Sequence, residues 1–218
     1  MKAKIIFFIG LTLVNRALPA EQPTYSTPVR DDFPTKVYWG DTHLHTNLSG
    51  DAVFKLGPEE AYRYARGEKV ISSTGQSARL SRPLDFIVIA DHANNMGAQI
   101  SRQYSGDDEA YMDTRLGRLW ADARNELLAN PDVNHERLKT GSLWPGNRGD
   151  VALRHPGFRQ AVWDLVTSNA DKYNSPGSFT AFVGYEWTSN IAAQHRVVLF
   201  KDSGKTVRQV LPFSSWDG

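Results

Sequence analysis

The sequence predicts an α/β fold with a largely parallel sheet, and three observations support this prediction. The segment 84–90 is a nearly continuous apolar run, which is typical of a strand covered on both faces. Further strand-like segments alternate with helical segments, as expected when helices pack on a parallel sheet. Residues that can bind metal ions lie where these strands begin or end, and chemistry in such sheets collects at the carboxyl ends of the strands.

The N-terminal segment 1–20 has the features of a secretory signal peptide. Lys2 and Lys4 give it a basic start, and an apolar run that is too short to span a bilayer follows at Ile5–Val14. Small residues end this segment at Ala20, where we expect cleavage. The mature protein is therefore expected to be periplasmic or secreted, without membrane attachment after cleavage.

The composition excludes several classes of site. The chain contains no cysteine, which rules out disulfides, cysteine-based zinc sites and cysteine nucleophiles. Its net charge of +1 gives no basic surface for nucleic acid, so the expected partner is a small molecule. The sequence has neither a glycine-rich phosphate loop nor a G-x-S-x-G motif, which leaves no basis for a nucleotide-binding or serine-hydrolase site.

The remaining elements are predicted in chain order. Residues 21–35 are rich in Pro, Thr and Asp and form an extended lead-in to a first strand at Val37–Trp39. Pro58 opens a helix that ends near Gly67, because proline fits the first helical turn and the acids after it suit the positive helix end. Residues 70–82 predict a loop or short hairpin. Apolar spacing then predicts helices at 107–130 and 158–173, a loop at 131–156, and strands at 84–90, 179–185 and 197–200.

The segment after the first strand carries the clearest chemical pattern. Asp41, His43 and His45 occupy every second position, and such residues share one face of a strand. Two neutral imidazoles at this spacing can bind one divalent cation. Asp51 follows in a loop and can add a carboxylate. The alternative interpretation of this pattern alone is a polar strand end with two surface histidines.

Three further residues extend this pattern to other strands. His92 follows the strand at 84–90, Glu186 ends the strand at 179–185, and His195 precedes the last strand. Because strand ends converge at one mouth of an α/β sheet, we expect one shared metal site. Its six predicted ligands are His43, His45, Asp51, His92, Glu186 and His195. They exceed the needs of one tetrahedral ion, so we expect two or three divalent ions (Mn, Zn or Fe), with Glu186 as a bridge.

Three other polar residues are not predicted to bind metal. Asp91 is a candidate catalytic residue beside His92, although neighbouring side chains in a strand point to opposite faces. His135 and His155 lie in the helical region and are expected on the surface, outside the metal site.

These motifs resemble those of the PHP superfamily of metal-dependent phosphoesterases. The D-x-H-x-H motif is found at Asp41–His45 with Asp51 six residues further on, and Ala90–His92 corresponds to T-D-H with Ala in place of Thr. The G-x-E motif is Gly184–Glu186, followed by His195. The sequences Gly40–His45, Gly50–Ala52, Arg82–Phe86 and Tyr185–Trp187 are most similar to the DUF3604 branch of exported bacterial proteins, and the resemblance covers about residues 36–218.

The resemblance implies both a fold and an activity. The fold would be a distorted (β/α)7 barrel with a helical insertion at about 94–176. The activity would be phosphoester hydrolysis of a small, anionic substrate by a metal-bound hydroxide. The closing motifs of the superfamily do not follow His195, so residues 36–218 are expected to form the N-terminal part of a longer domain. Two alternatives stay open, namely hydrolysis of C–N or carboxylic ester bonds and a non-catalytic metal-containing binding module.

Overall fold

The computed structural model describes residues 35–52, 55–97, 113–129, 155–189 and 194–215. Every element below belongs to the compact unit Tyr38–Gly218. The predicted signal peptide, most of the lead-in and His135 lie outside the described residues. The elements in chain order are β1 (Gly40–Leu44), α1 (Pro58–Ala65), β2 (Val70–Ile71), β3 (Ser77–Ala78), β4 (Phe86–Ile89), α2 (Arg115–Ala129), α3 (Pro156–Tyr173), β5 (Thr180–Thr188), β6 (His195–Phe200) and α4 (Gly204–Val207).

A curled four-stranded sheet in the order β1-β4-β5-β6 forms the centre of a mixed α/β fold, as the sequence predicted. The β1–β4 and β4–β5 pairs are parallel, whereas β6 is antiparallel to β5. The prediction of a largely parallel sheet is therefore confirmed, with β6 as the one antiparallel strand of this described sheet. The connection from β5 to β6 is too short for the crossover that a parallel pair needs.

The first strand begins later than predicted. Residues 35–39 form no strand, and β1 starts at Gly40. The carboxylate of Asp85 accepts a hydrogen bond from the Trp39 amide at 2.8 Å, which ends the ladder at this point. Gly40 also allows close approach to β4, since a Cβ there would lie 2.3 Å from the Phe86 carbonyl oxygen. As a result, His43 lies within β1 instead of after it.

The helices occupy most of the predicted positions. Helix α1 begins at Pro58 as expected, and the Glu60 carboxylate accepts a hydrogen bond from the Gly57 amide at 3.1 Å. Helix α2 begins at Arg115, where the Thr114 hydroxyl accepts a hydrogen bond from the Gly117 amide and caps the first turn. Helix α3 begins at Pro156, two residues before the predicted start. Residues 107–112 of the predicted helix and 131–154 of the predicted loop lie outside the described residues. The β2–β3 pair confirms the hairpin within 70–82.

The region predicted as a helical insertion forms the crossover between parallel strands β4 and β5. Within it, α3 buries Phe158, Val162 and Trp163 in the core. The Trp163 ring meets the β5 residue Tyr185 edge-on, with 6.1 Å between ring centroids. This packing holds α3 against the strand that carries Glu186. Among the described helices, none combines the length and the apolar character that a membrane crossing requires.

Candidate metal centre

All six predicted ligands come together at the carboxyl ends of the parallel strands. His43 lies in β1 and His45 directly after it, while His92 follows β4 and forms an isolated bridge with Glu186 of β5. His195 opens β6, which runs antiparallel and therefore begins beside the end of β5. The sheet topology thus brings residues from four separate segments to one place.

Glu186 is the centre of this cluster. Its side chain is only 1% exposed. One carboxylate oxygen, Oε2, lies 2.9 Å from His43 Nε2 and 2.7 Å from His45 Nε2. The same oxygen is 3.4 Å from His92 Nδ1, and the other oxygen, Oε1, is 2.6 Å from His195 Nδ1. Four imidazoles therefore surround one buried carboxylate, and the predicted proximity of His92 and Glu186 to the His43/His45 pair is confirmed.

Asp51 approaches the cluster from the loop after β1, as the sequence suggested. Both of its carboxylate oxygens lie 3.2 Å from His45 Nδ1, and Oδ2 lies 3.4 Å from His92 Nε2. The Ser49 hydroxyl donates a hydrogen bond to Asp51 Oδ1 at 2.6 Å. Glu186 contacts one ring nitrogen of His45 and one of His92, and Asp51 thus contacts the other nitrogen of each ring.

The described residues contain three overlapping groups that could hold metal ions. In each group, the nitrogen or oxygen donors lie within 4.8 Å of one another. We call these groups the first (His43, His45, Glu186), the second (His45, Asp51, His92) and the third (His92, Glu186, His195). Three residues belong to two groups each, so ions in these positions would be immediate neighbours.

The protonation states of the cluster suit cation binding. Burial raises the pKa of Glu186, but the hydrogen bond from His43 and the charges of His92 and His43 outweigh it, so this pKa lies below its ordinary value. Burial likewise opposes ionisation of Asp51, and the Ser49 hydrogen bond together with His45 and His92 lowers its pKa overall. Burial also lowers the pKa of His92, which favours the neutral imidazole that binds metals.

Comparison with known proteins assigns the chain to a family. The family described as protein of unknown function (DUF3604) matches residues 32–218. The chain belongs to the DUF3604 family. This match confirms the narrower of the two resemblances noted in the sequence, whereas the relation of DUF3604 to the PHP superfamily stays a hypothesis. No curated protein and no solved structure shows significant similarity to the chain.

Two acidic residues that the sequence pattern singled out in this DUF3604 chain, Asp91 and Asp41, lie outside the three groups. The buried carboxylate of Asp91 accepts hydrogen bonds from the Thr46 amide and, at 2.7 Å, from the Thr46 hydroxyl. Burial raises the pKa of Asp91 to about 6. Asp91 thus ties the end of β4 to the segment after β1, and its catalytic role stays a prediction. Asp41 accepts a hydrogen bond from the His43 amide at 2.8 Å, so it does not join the histidines as the alternation suggested.

His155 lies outside the candidate site but is half-buried instead of on the surface, with 24% of its side chain exposed, and two hydroxyls that the sequence did not reveal lie within the site. His155 Nε2 lies 3.0 Å from a Glu126 carboxylate oxygen, away from the three groups, as predicted. Thr188 Oγ1 lies 2.8 Å from His92 Nδ1 and 3.3 Å from His195 Nδ1. Thr188 lies two residues after Glu186 in β5, and residues at this spacing project from the same face of a strand, so the sequence position could have indicated this contact. Ser49 is the second overlooked hydroxyl, and its spacing to Asp51 is typical of loops with side-chain hydrogen bonds.

A pocket of about 220 Å³ lies beside the candidate metal centre. It is lined by Leu44 and His45 at the end of β1, by one side of α1, and by Val70 and Ala78 of the hairpin. An apolar cavity of about 150 Å³ is enough to hold benzene. The pocket is therefore large enough for a small organic group next to His45.

Proposed function

We propose that this DUF3604 chain is an exported, metal-dependent hydrolase that acts on phosphoesters. The observation that carries the proposal is the buried Glu186 carboxylate, whose two oxygens contact His43, His45 and His195 at 2.6–2.9 Å. A buried ionised carboxylate requires compensating positive charge. Divalent cations held between Glu186 and the imidazoles would supply it.

The donor set fits the expected metals. It consists of imidazole nitrogens and carboxylate oxygens without sulfur, which suits Zn²⁺, Mn²⁺ and Fe²⁺. Each of the three groups offers three donors, and fewer protein ligands than a full coordination shell leave positions open for water or substrate. Glu186 belongs to the first and third groups, which agrees with the predicted bridging role.

The accessibility of the ligands supports a catalytic site over a purely structural one. The side chains of His43, Asp51 and His195 are 48%, 47% and 44% exposed, whereas Glu186 is buried beneath them. A small substrate can therefore reach the cluster from the solvent side. When bound, the ions would lower the pKa of coordinated water and neutralise charge on phosphoryl oxygens.

The residues of the chain have separate tasks in this proposal. Glu186 and Asp51 would share ions with the imidazoles that they contact, and these contacts already place the rings of His43 and His45 at the site. Thr188 holds Nδ1 of His92, which leaves Nε2 directed at Asp51. Such hydrogen bonds fix the tautomer and ring orientation of metal-binding histidines. The parallel strands with ligands at their carboxyl ends also support a PHP-like barrel, which we include in the proposal.

Metal removal and restoration test the proposal. The purified chain would be stripped with a chelator, reconstituted separately with Mn²⁺, Zn²⁺ and Fe²⁺, and assayed by elemental analysis. Each form would then be screened against phosphomonoesters, phosphodiesters, carboxylic esters and amides, with His155→Ala as the control variant. Two or more ions per chain and metal-dependent phosphoester turnover are expected.

Each other outcome of the screen has a definite meaning. Turnover of esters or amides alone would identify a hydrolase of carbonyl substrates. Full metal loading without any turnover would favour a non-catalytic binding module. Well under one ion per chain after reconstitution would refute the metal centre itself.

A further inference from the structure

The hydroxyl of Ser49 contacts every member of the second group. Ser49 is fully buried at 0% exposure. Its hydroxyl donates to Asp51 Oδ1 at 2.6 Å, lies 3.4 Å from His45 Nδ1, and accepts a hydrogen bond from the His92 amide at 3.2 Å. One buried oxygen thus joins the end of β1, the loop after it and the end of β4.

The second group needs such an organiser because it lacks Glu186. The buried Glu186 carboxylate is common to the first and third groups and fixes their imidazoles. In the second group the carboxylate comes from Asp51, whose side chain is 47% exposed. An exposed carboxylate in a loop samples several rotamers unless a hydrogen bond selects one.

We propose that Ser49 is a positioning residue that builds the second metal position by holding Asp51 between His45 and His92. This inference rests on the proposed metal centre and assigns one part of it. The buried hydroxyl selects the Asp51 rotamer. Its bond to the His92 amide fixes the separation of the loop from β4, which sets the 3.4 Å distance between Asp51 Oδ2 and His92 Nε2. Ser49 acts on the ion through Asp51 and does not bind it.

The main-chain hydrogen bonds around Ser49 also bring Asp51 toward His45 and His92. The Ser49 amide donates to the Thr46 carbonyl at 3.1 Å, and the Ala52 amide donates to the Ser49 carbonyl at 3.2 Å. These two turns fold the loop back, so that Asp51 lies beside the end of β1. The hydroxyl then adds the side-chain restraint that the turns alone do not provide.

The test compares metal binding by the wild-type chain and Ser49→Ala. Titration calorimetry with Zn²⁺ and Mn²⁺, together with elemental analysis, would give the number of ions and their affinities. Partners outside the first coordination shell typically contribute about 10–100-fold to metal affinity. We expect Ser49→Ala to weaken one ion by this factor and to leave the others unchanged. Thr167→Val is the matched control, because it removes another fully buried hydroxyl far along the chain in α3.

A double-mutant cycle separates positioning from general support of the loop. If Ser49 acts through Asp51, then Ser49→Ala has no further effect on metal affinity in an Asp51→Asn background. If the two effects add, the hydroxyl acts through the His92 amide instead, and the proposal is overturned. Ser49→Gly also removes the hydroxyl, adds no metal ligand and should show the same loss of affinity, so it replaces Ser49→Ala if that variant does not fold.

Failure of this proposal differs from failure of the proposed function. If the wild-type chain binds no metal, the hydrolase proposal fails and this assignment fails with it. If the wild type binds two or more ions and Ser49→Ala binds them with the same affinities, only the role of Ser49 is refuted. Equal weakening of all ions in Ser49→Ala would also overturn it, because Asp51, through which the hydroxyl acts, belongs to the second group alone among the described groups.

Discussion

Replacement of Glu186 by Gln is the most informative single change at the metal centre. Gln has nearly the same shape and keeps hydrogen-bonding capacity, but it removes the negative charge. Glu186 contributes to the first and third groups and is absent from the second. The substitution should therefore affect two metal positions and spare one, a pattern that general unfolding would not produce.

The magnitude follows from these contacts. Loss of an outer partner of a metal site costs about 10–100-fold in affinity, and loss of a direct charged ligand should reach at least the upper end of this range. We expect about 100-fold weaker binding at each of the two positions, equivalent to about 2.8 kcal/mol, since each factor of ten is about 1.4 kcal/mol. The second group, held by Asp51 and Ser49, should keep its affinity.

Elemental analysis after gel filtration, followed by titration calorimetry, would measure this difference. His155→Ala serves as the control, because it removes an imidazole that contacts Glu126 away from the three groups and should leave metal content unchanged. Thermal unfolding of the metal-free variants would verify that both are folded. A Glu186→Gln protein with wild-type metal content and affinities would refute the central role assigned to this carboxylate.

Three further predictions concern other parts of the chain. Asp91→Ala should leave metal stoichiometry intact but lower the free energy of unfolding by about 1–3 kcal/mol, because the Thr46 donors lose their buried acceptor; loss of activity at unchanged metal content and stability would instead support a catalytic role. Gly40→Ala should lower the denaturation midpoint, since the added Cβ would meet the Phe86 carbonyl oxygen at 2.3 Å, and an unchanged midpoint would show that β1 can shift. Mass spectrometry of exported protein should show that residues 1–20 are absent, and an intact N-terminus would contradict the signal-peptide prediction.

The candidate ligands could be predicted from the sequence because their signals are local. The alternation of His43 and His45 and the positions of His92 and Glu186 at apolar strands need only the geometry of a parallel sheet. This reasoning holds even where strand boundaries are wrong by several residues. Glu186, for example, lies within β5 instead of at its end and still faces the cluster.

The misplaced details depend on contacts between distant parts of the chain. The start of β1 is set by Asp85 and Phe86, which follow Trp39 and Gly40 by 46 residues. The role of Asp91 depends on Thr46, 45 residues away in the sequence. Neither pairing leaves a periodic signal, so local patterns alone could not reveal them.

The distances along the chain between the ligands have a kinetic consequence. His43 and Glu186 are separated by 143 residues, and they meet only after β4 has paired with β1 and β5 has paired with β4. Loop closure over such separations slows folding, and parallel pairings form late. In the unfolded chain, the ligands are near neighbours only within two short segments, from His43 to Asp51 and from Glu186 to His195. A divalent ion added during refolding should therefore bind mainly after the slow step, so it should retard unfolding more than it accelerates folding.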